Sequence, residues 1–385
     1  MSAQTETPPP AFAGGSSKRG SEETAGHGLQ EQSSPVQPAL HRSVIVAALG
    51  AGRMGRGIAH AFAYAGHDVW LIDIKRRSKA EAGRLKKEAF AEVRTSLEAQ
   101  AAAGAFEASA IPAILRRIRF AGRQEAPAAL ARADVVFEGV PEVMAAKHDA
   151  LAFASAHLGA DAIVASTTST FLVTALSGML AQPRRFLNAH WLNPAYIIPL
   201  VEVSPHAGTD ARVLARFNAL LRSIGKVPVL CKPAPGFIVP RLQSLVMNEA
   251  ARMIEEGIAT PGDIDRAIRY GFGFRYANMG VVEFIDYGGV DILWFAANYL
   301  ADHLGERFRP PASVKRLMAQ GRKGLREGRG YFDWRNVDIP AYRRQALADM
   351  IRMLRHHGLQ HPPAAGTAPD PAGRRVVKSP RLRQK

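Results

Sequence analysis

The chain has 385 residues, more than the roughly 100–200 of one ordinary domain, so length alone argues for about two folded units. Hydrophobic residues make up 47%, which excludes disorder throughout, and 50 Lys and Arg against 34 Asp and Glu leave a net charge of +16 that favours anionic partners without naming one. The single cysteine, Cys231, excludes an intrachain disulfide and a cysteine metal site, and it fits a reducing, cytoplasmic compartment.

Residues 1–40 are rich in Ser, Pro, Gly, Glu and Gln without periodicity and are expected to form a disordered extension. They hold neither the apolar core of a secretory signal nor an Arg-rich presequence, and nowhere does an apolar stretch approach the roughly 18–20 residues that cross a bilayer. The expectation is a protein without membrane association.

From 41 to 233 the pattern is that of an α/β domain. Ser43–Leu49 reads as a buried strand, followed directly by Gly50-Ala51-Gly52-Arg53-Met54-Gly55, a helix through Ile58, Phe62 and Ala65, and a second strand, Val69–Ile74, whose end carries Asp73. This βαβ context gives the glycines a chemistry. Gly50 permits a tight turn, Gly52 lets backbone approach a pyrophosphate, Gly55 lets helix and strand pack closely, and the free amides at the helix start, over Arg53 and Met54, face phosphate charge. Asp73, suited to ribose hydroxyls, points to NAD over NADP. The basic Lys75, Arg76 and Arg77 weaken that preference, because an arginine can reach a 2′-phosphate.

Further strands are expected at Val135–Phe137 and Ile163–Ala165, with a helix over Glu142–His157 between them. The segment Glu138-Gly139-Val140-Pro141-Glu142 then falls at a strand's carboxyl end, where open sheets bind ligands, and Glu142 and Lys147 become cofactor-site candidates. A capping acid and a surface lysine are the competing readings. Ser166-Thr167-Thr168-Ser169-Thr170 follows the next strand; these hydroxyls either cap a helix or, at Ser169, face a nicotinamide-side pocket. Two strand-like runs, Phe186–Trp191 and Leu200–Val203, carry His190 and Glu202 12 residues apart. A glutamate inside an apolar strand needs a partner, and His190 is the obvious one. Such a pair would hold one imidazole tautomer and leave the other nitrogen to take a proton, although a structural histidine fits the same pattern. Asn193 is a neutral donor beside the pair.

Residues 234–356 read as a helical domain. Leu242, Leu245, Val246, Met253 and Ile254 recur at helical spacing, Pro261-Gly262-Asp263 starts another helix, and Val281–Leu300 is apolar enough to be largely buried. Such a domain invites a homodimer. The glycines from Gly321 to Gly330 suggest an exposed or phosphate-contacting loop. Residues 357–385 are expected to be a basic flexible tail, with six Lys or Arg against one Asp from Leu359 on. Nucleic-acid contact by this tail would rest on charge alone, since no zinc-finger spacing or RNA-binding aromatic motif accompanies it.

Across residues 42–335 the chain resembles the 3-hydroxyacyl-CoA dehydrogenase family. The resemblance lies in the glycine motif, Phe137-Glu138-Gly139-Val140-Pro141-Glu142, the His190–Pro194 segment, Pro199-Leu200-Val201-Glu202-Val203, Gly236-Phe237-Ile238-Val239 and Gly328-Arg329-Gly330-Tyr331-Phe332. It implies a Rossmann-type doubly wound sheet domain followed by an all-helical, dimer-forming domain, with NAD bound between the two. It further implies an enzyme that interconverts a short-chain (S)-3-hydroxyacyl-CoA and its 3-oxo form, as in fatty acid metabolism. His190 would be the general base, Glu202 would orient it, Ser169 would help position the substrate oxygen, and Asn193 would orient the substrate. Two positions depart from the family pattern: Pro240 stands where an asparagine is usual after Gly-Phe-Ile-Val, and Thr167 replaces the asparagine of the Asn-Thr-Ser loop.

The chain is also similar to the branch of L-gulonate dehydrogenase and lambda-crystallin, which acts on free hydroxy acids, through Asn193-Pro194-Ala195-Tyr196, Arg241-Leu242-Gln243 and Gly273-Phe274-Arg275-Tyr276-Ala277. That similarity implies that Arg275 binds a substrate carboxylate through its bidentate guanidinium. An ion pair between domains or subunits is the other reading of Arg275. A catalytically weak NAD-binding structural protein is the alternative of a different class.

Overall fold

The computed structural model describes residues 43–361, so the expected N-terminal extension and the tail from 362 lie outside the described residues. These residues form two compact units, 43–255 and 256–361.

The first unit is built on eight strands: β1 (Ile45–Leu49), β2 (Asp68–Ile72), β3 (Ile118–Ala121), β4 (Val135–Glu138), β5 (Ile163–Ser166), β6 (Phe186–Trp191), β7 (Leu200–Pro205) and β8 (Val227–Leu230). They make one sheet in the order β3-β2-β1-β4-β5-β6-β7-β8, parallel except where β7 runs against β6. Its helices are α1 (Arg53–Tyr64), α2 (Lys79–Ala102), α3 (Ile111–Arg116), α4 (Ala126–Ala131), α5 (Met144–Ser155), α6 (Val173–Ser177), α7 (Ala211–Ser223) and α8 (Val239–Glu255). Alternation along β1 explains the layering. Val46 and Ala48 join a core with Ile58 and Phe62 of α1, while Ala47 and Leu49 join a second core with Ala150 and Ala154 of α5. A strand buried on both faces must be apolar throughout, which is how β1 reads. The architecture is the doubly wound sheet expected.

The edge strands β3 and β8 carried little sequence signal. β3 has four residues, one of them Arg119, and β8 contains Pro228 and leaves Val227 and Leu230 more than half exposed.

The second unit is all helical among the described residues: α9 (Pro261–Ala267), α10 (Gly273–Tyr276) after a π turn, α11 (Val281–Gly288), α12 (Val290–Leu304), α13 (Ala312–Ala319) and α14 (Ile339–His356). Val290, Val314 and Leu317 form its core. The expectation that Val281–Leu300 is largely buried is not met. The stretch is two helices, and Ile292, Phe295 and Tyr299 of α12 are each more than 60% exposed. Nor is the Gly321–Gly330 segment a simple exposed loop. It closes on buried Asp286, whose carboxylate accepts the amides of Tyr331 and Phe332, each at 2.8 Å, and Trp334 Nε1 at 2.9 Å. The Gly-x-Gly-Tyr-Phe run therefore satisfies a buried acid.

Among the described residues, no helix is long and apolar enough to cross a membrane.

Candidate active site

The glycine motif sits at the carboxyl end of β1. Gly50 has φ +116°, and a Cβ there would lie 2.7 Å from the carbonyl oxygen of Gly139 at the end of β4. Gly55 passes so close to Gly50 that any side chain would collide with its carbonyl. The space over Gly52, which precedes the first turn of α1, is open. A tight turn, a close packing point and an uncluttered helix start are what a dinucleotide pyrophosphate requires, so the residues fit NAD. Asp73 follows β2 directly and is 6% exposed; its carboxylate is paired with the guanidinium of Arg77.

Next along the sheet edge, a buried ionic network supports the hydroxyl loop. Glu138, at the end of β4, is fully buried and accepts hydrogen bonds from Val140 N and Ser166 Oγ. Lys147 does not lie on the surface. It is 1% exposed, and its ammonium bridges Glu138 at 3.1 Å and Glu142 at 3.1 Å. Glu142 in turn gathers the loop: it accepts Ser169 N at 3.1 Å, Thr170 N at 3.0 Å, Thr170 Oγ1 at 2.6 Å and the Thr168 hydroxyl. Burial pushes the Glu142 carboxyl up, but the Thr168 and Thr170 hydroxyls and the Lys147 charge outweigh it and hold the group at about 2.

The loop so held carries Ser169 to within 3.1 Å of His190 Nε2. On the other side of the ring, His190 Nδ1 lies 2.7 Å from Glu202 Oε2. Strand pairing produces this contact, because β6 and β7 are antiparallel with His190 directly opposite Glu202. A carboxylate only accepts, so Nδ1 carries the proton and Nε2 is left with its lone pair. Glu202 is fully buried, and its second oxygen accepts the amides of Ile238 and Val239, each at 2.8 Å, at the start of α8. Phe237, at φ +45°, turns the chain into that helix and stacks its ring on His190 with centroids 5.2 Å apart. In the sequence, Gly236-Phe237-Ile238-Val239 stands out only through the family resemblance. The readable signal was the need of a buried Glu202 for more donors than one histidine supplies.

Pro240 is the second residue of α8, where first-turn amides have no helical acceptor, so proline costs the helix no hydrogen bond. Asn193 is exposed and lines a cavity of about 210 Å³ with Arg53, Arg56, His60 and Tyr196. Arg275 belongs to the second unit; its guanidinium lies 4.6 Å over the ring of Phe284.

Comparison with known proteins gives the family. Residues 45–234 match the family profile described as 3-hydroxyacyl-CoA dehydrogenase, NAD binding domain, and residues 236–334 match its C-terminal domain. A 3-hydroxyacyl-CoA dehydrogenase structure from Archaeoglobus fulgidus is 30% identical, with 82% of this chain and 100% of that one covered at a TM-score of 0.64. The 3-hydroxyadipyl-CoA dehydrogenase of Escherichia coli is 33% identical over 80% of this chain, which spans 63% of that relative's length. The 5-formyl-3-hydroxy-2-methylpyridine 4-carboxylate 5-dehydrogenase of Mesorhizobium japonicum is 29% identical over 80% of this chain and 97% of its own.

The chain is thus an NAD-dependent oxidoreductase by fold and family profile. It belongs to the 3-hydroxyacyl-CoA dehydrogenase family.

Proposed function

We propose that the protein interconverts a short-chain (S)-3-hydroxyacyl-CoA and the corresponding 3-oxoacyl-CoA, with His190 as general base. The observation that carries this reading is the line Ser169 Oγ, His190 Nε2, His190 Nδ1, Glu202, with contacts of 3.1 and 2.7 Å. His190 Nε2 takes the proton of the C3 hydroxyl, and Glu202 stabilises the imidazolium that forms. Ser169 Oγ holds the reacting oxygen, and Asn193 orients it. NAD, when bound, supplies the acceptor for the C3 hydride; Gly50, Gly52, Gly55 and the amides of Arg53 and Met54 would hold its pyrophosphate, and Asp73 its ribose. In the reductive direction the His190 proton returns to the oxygen. The test is NADH oxidation with acetoacetyl-CoA and with free acetoacetate, in the wild type and in His190→Ala.

A second reading has its own support: a free 3-hydroxy acid as substrate, its carboxylate bound by Arg275. Among the described residues Arg275 has no carboxylate partner, only the Phe284 ring. The Mesorhizobium relative is named for a substrate that carries a free carboxylate. Both readings share the same proton chemistry.

The apolar face of α12, with Ile292, Phe295 and Tyr299 exposed, supports a homodimer.

A further inference from the structure

Asn193 stands at the head of an irregular segment, 193–199, between β6 and β7. The segment's own backbone bonds, Ile197 N and Ile198 N to Pro194 O, fold it but do not anchor it. Two contacts tie it to α1: Tyr196 stacks on His60 with centroids 4.3 Å apart and planes 2° from parallel, and Ala195 packs against Gly57. The main-chain bond from Val227 N to Pro199 O, at 2.8 Å, ties its far end to β8, and the remaining anchor is a charge. Lys226, at the entry to β8, is 6% exposed and turns its Nζ onto Ala195 O at 2.7 Å and Ile198 O at 2.8 Å. The ammonium also lies 5.4 Å from the Trp191 ring centroid. No carboxylate pairs with it among the described residues. A buried ammonium without a counter-ion is costly, and here backbone carbonyls and an indole face are all that offset it.

We propose that Lys226 is a positioning residue for the substrate: its ammonium clamps the 193–199 segment and so fixes Asn193 against the cofactor loop. The clamp is titratable. Burial pulls the lysine from 10.5 down to about 8. His60 on α1 is the ionisable group that faces it, and burial holds that imidazole at about 4, hence neutral, so it places no competing cation there. Below about pH 8 the two hydrogen bonds are charge-assisted; above it they become bonds from a neutral amine and lose roughly half their strength.

The kinetic consequence rests on the reaction proposed above. In the wild type, KM for the 3-hydroxy substrate should rise about tenfold between roughly pH 7 and 9, with a smaller change in kcat and none in NAD affinity. Lys226→Met should show the high KM at both pH values, with NAD affinity retained. Fluorescence provides a readout independent of turnover: the emission component lost in Trp191→Phe should titrate near pH 8 in the wild type and not in Lys226→Met. The proposal is overturned if that emission does not titrate near pH 8, or if a folded, NAD-binding Lys226→Met keeps the wild-type KM and its alkaline rise. A wild type that turned over no 3-hydroxy substrate while the emission still titrated would refute the reaction and leave the charged clamp supported.

Discussion

Glu202 faces His190 across the antiparallel pair and divides its carboxylate, one oxygen 2.7 Å from the imidazole Nδ1 and the other on the two amides that open α8. Every partner of that carboxylate donates. A glutamine cannot satisfy them all, because its NH₂ must meet either the amides or the imidazole. If it meets the imidazole, the ring has to place its proton on Nε2 and ceases to be a base. We therefore expect Glu202→Gln to lower kcat roughly 10²- to 10⁴-fold while NAD affinity, for which the glycine loop is the proposed site, changes little. Steady-state kinetics with a separate NAD titration check this, and undiminished turnover would refute the role.

Glu142 gathers the amides of Ser169 and Thr170 and the hydroxyls of Thr168 and Thr170, so it fixes the loop from which Ser169 reaches His190. Its folded carboxyl, at about 2, lies below the ordinary 4.5. A depressed acid contributes stability that is fully present above the ordinary value and is lost as pH falls through the folded one, here between about 4.5 and 2. Glu142→Gln should remove that part of the acid dependence of unfolding and lower kcat about tenfold through a looser Ser169. Denaturant melts at pH 3 and 6 would show it. If the variant instead raised only the KM for NAD, Glu142 would be a cofactor ligand and not a loop anchor.

Cofactor choice turns on Asp73. If Asp73 holds the adenosine ribose as proposed, a 2′-phosphate there would meet its carboxylate, with which the Arg77 guanidinium is already engaged. NAD should accordingly be preferred, with kcat/KM at least tenfold above that for NADP, an advantage of about 1.4 kcal/mol. Equal efficiency with NADP would mean that Arg77 swings to the phosphate.

Phe295, Ile292 and Tyr299 expose an apolar stripe on α12 that monomers rarely leave open. Sedimentation should give a dimer for the wild type and a monomer for Phe295→Asp. A wild-type monomer at micromolar concentration would contradict the dimer.

How much of this was legible in the sequence follows from where the constraint lay. β1 is buried on both faces and followed at once by glycines that only one backbone path accepts, so the βαβ start was readable residue by residue. The His190–Glu202 pairing was readable because a buried carboxylate demands a donor. The rest depended on long-range partners. Nothing local shows that Lys147 turns inward between two glutamates, or that Asp286 organises a loop more than 40 positions away. Short edge strands, half solvated, imposed too weak a pattern to be seen.

The proposed reaction depends on His190 moving the proton of a 3-hydroxyacyl substrate. The most direct measurement follows NADH oxidation with acetoacetyl-CoA and with free acetoacetate, comparing the wild type with His190→Ala. We expect rapid turnover, with the thioester preferred, falling by at least about 10²-fold in the variant while NADH binding persists. Preference for the free acid would move the assignment to the hydroxy-acid reading and to Arg275. Turnover unchanged in His190→Ala would show that His190 is not the base.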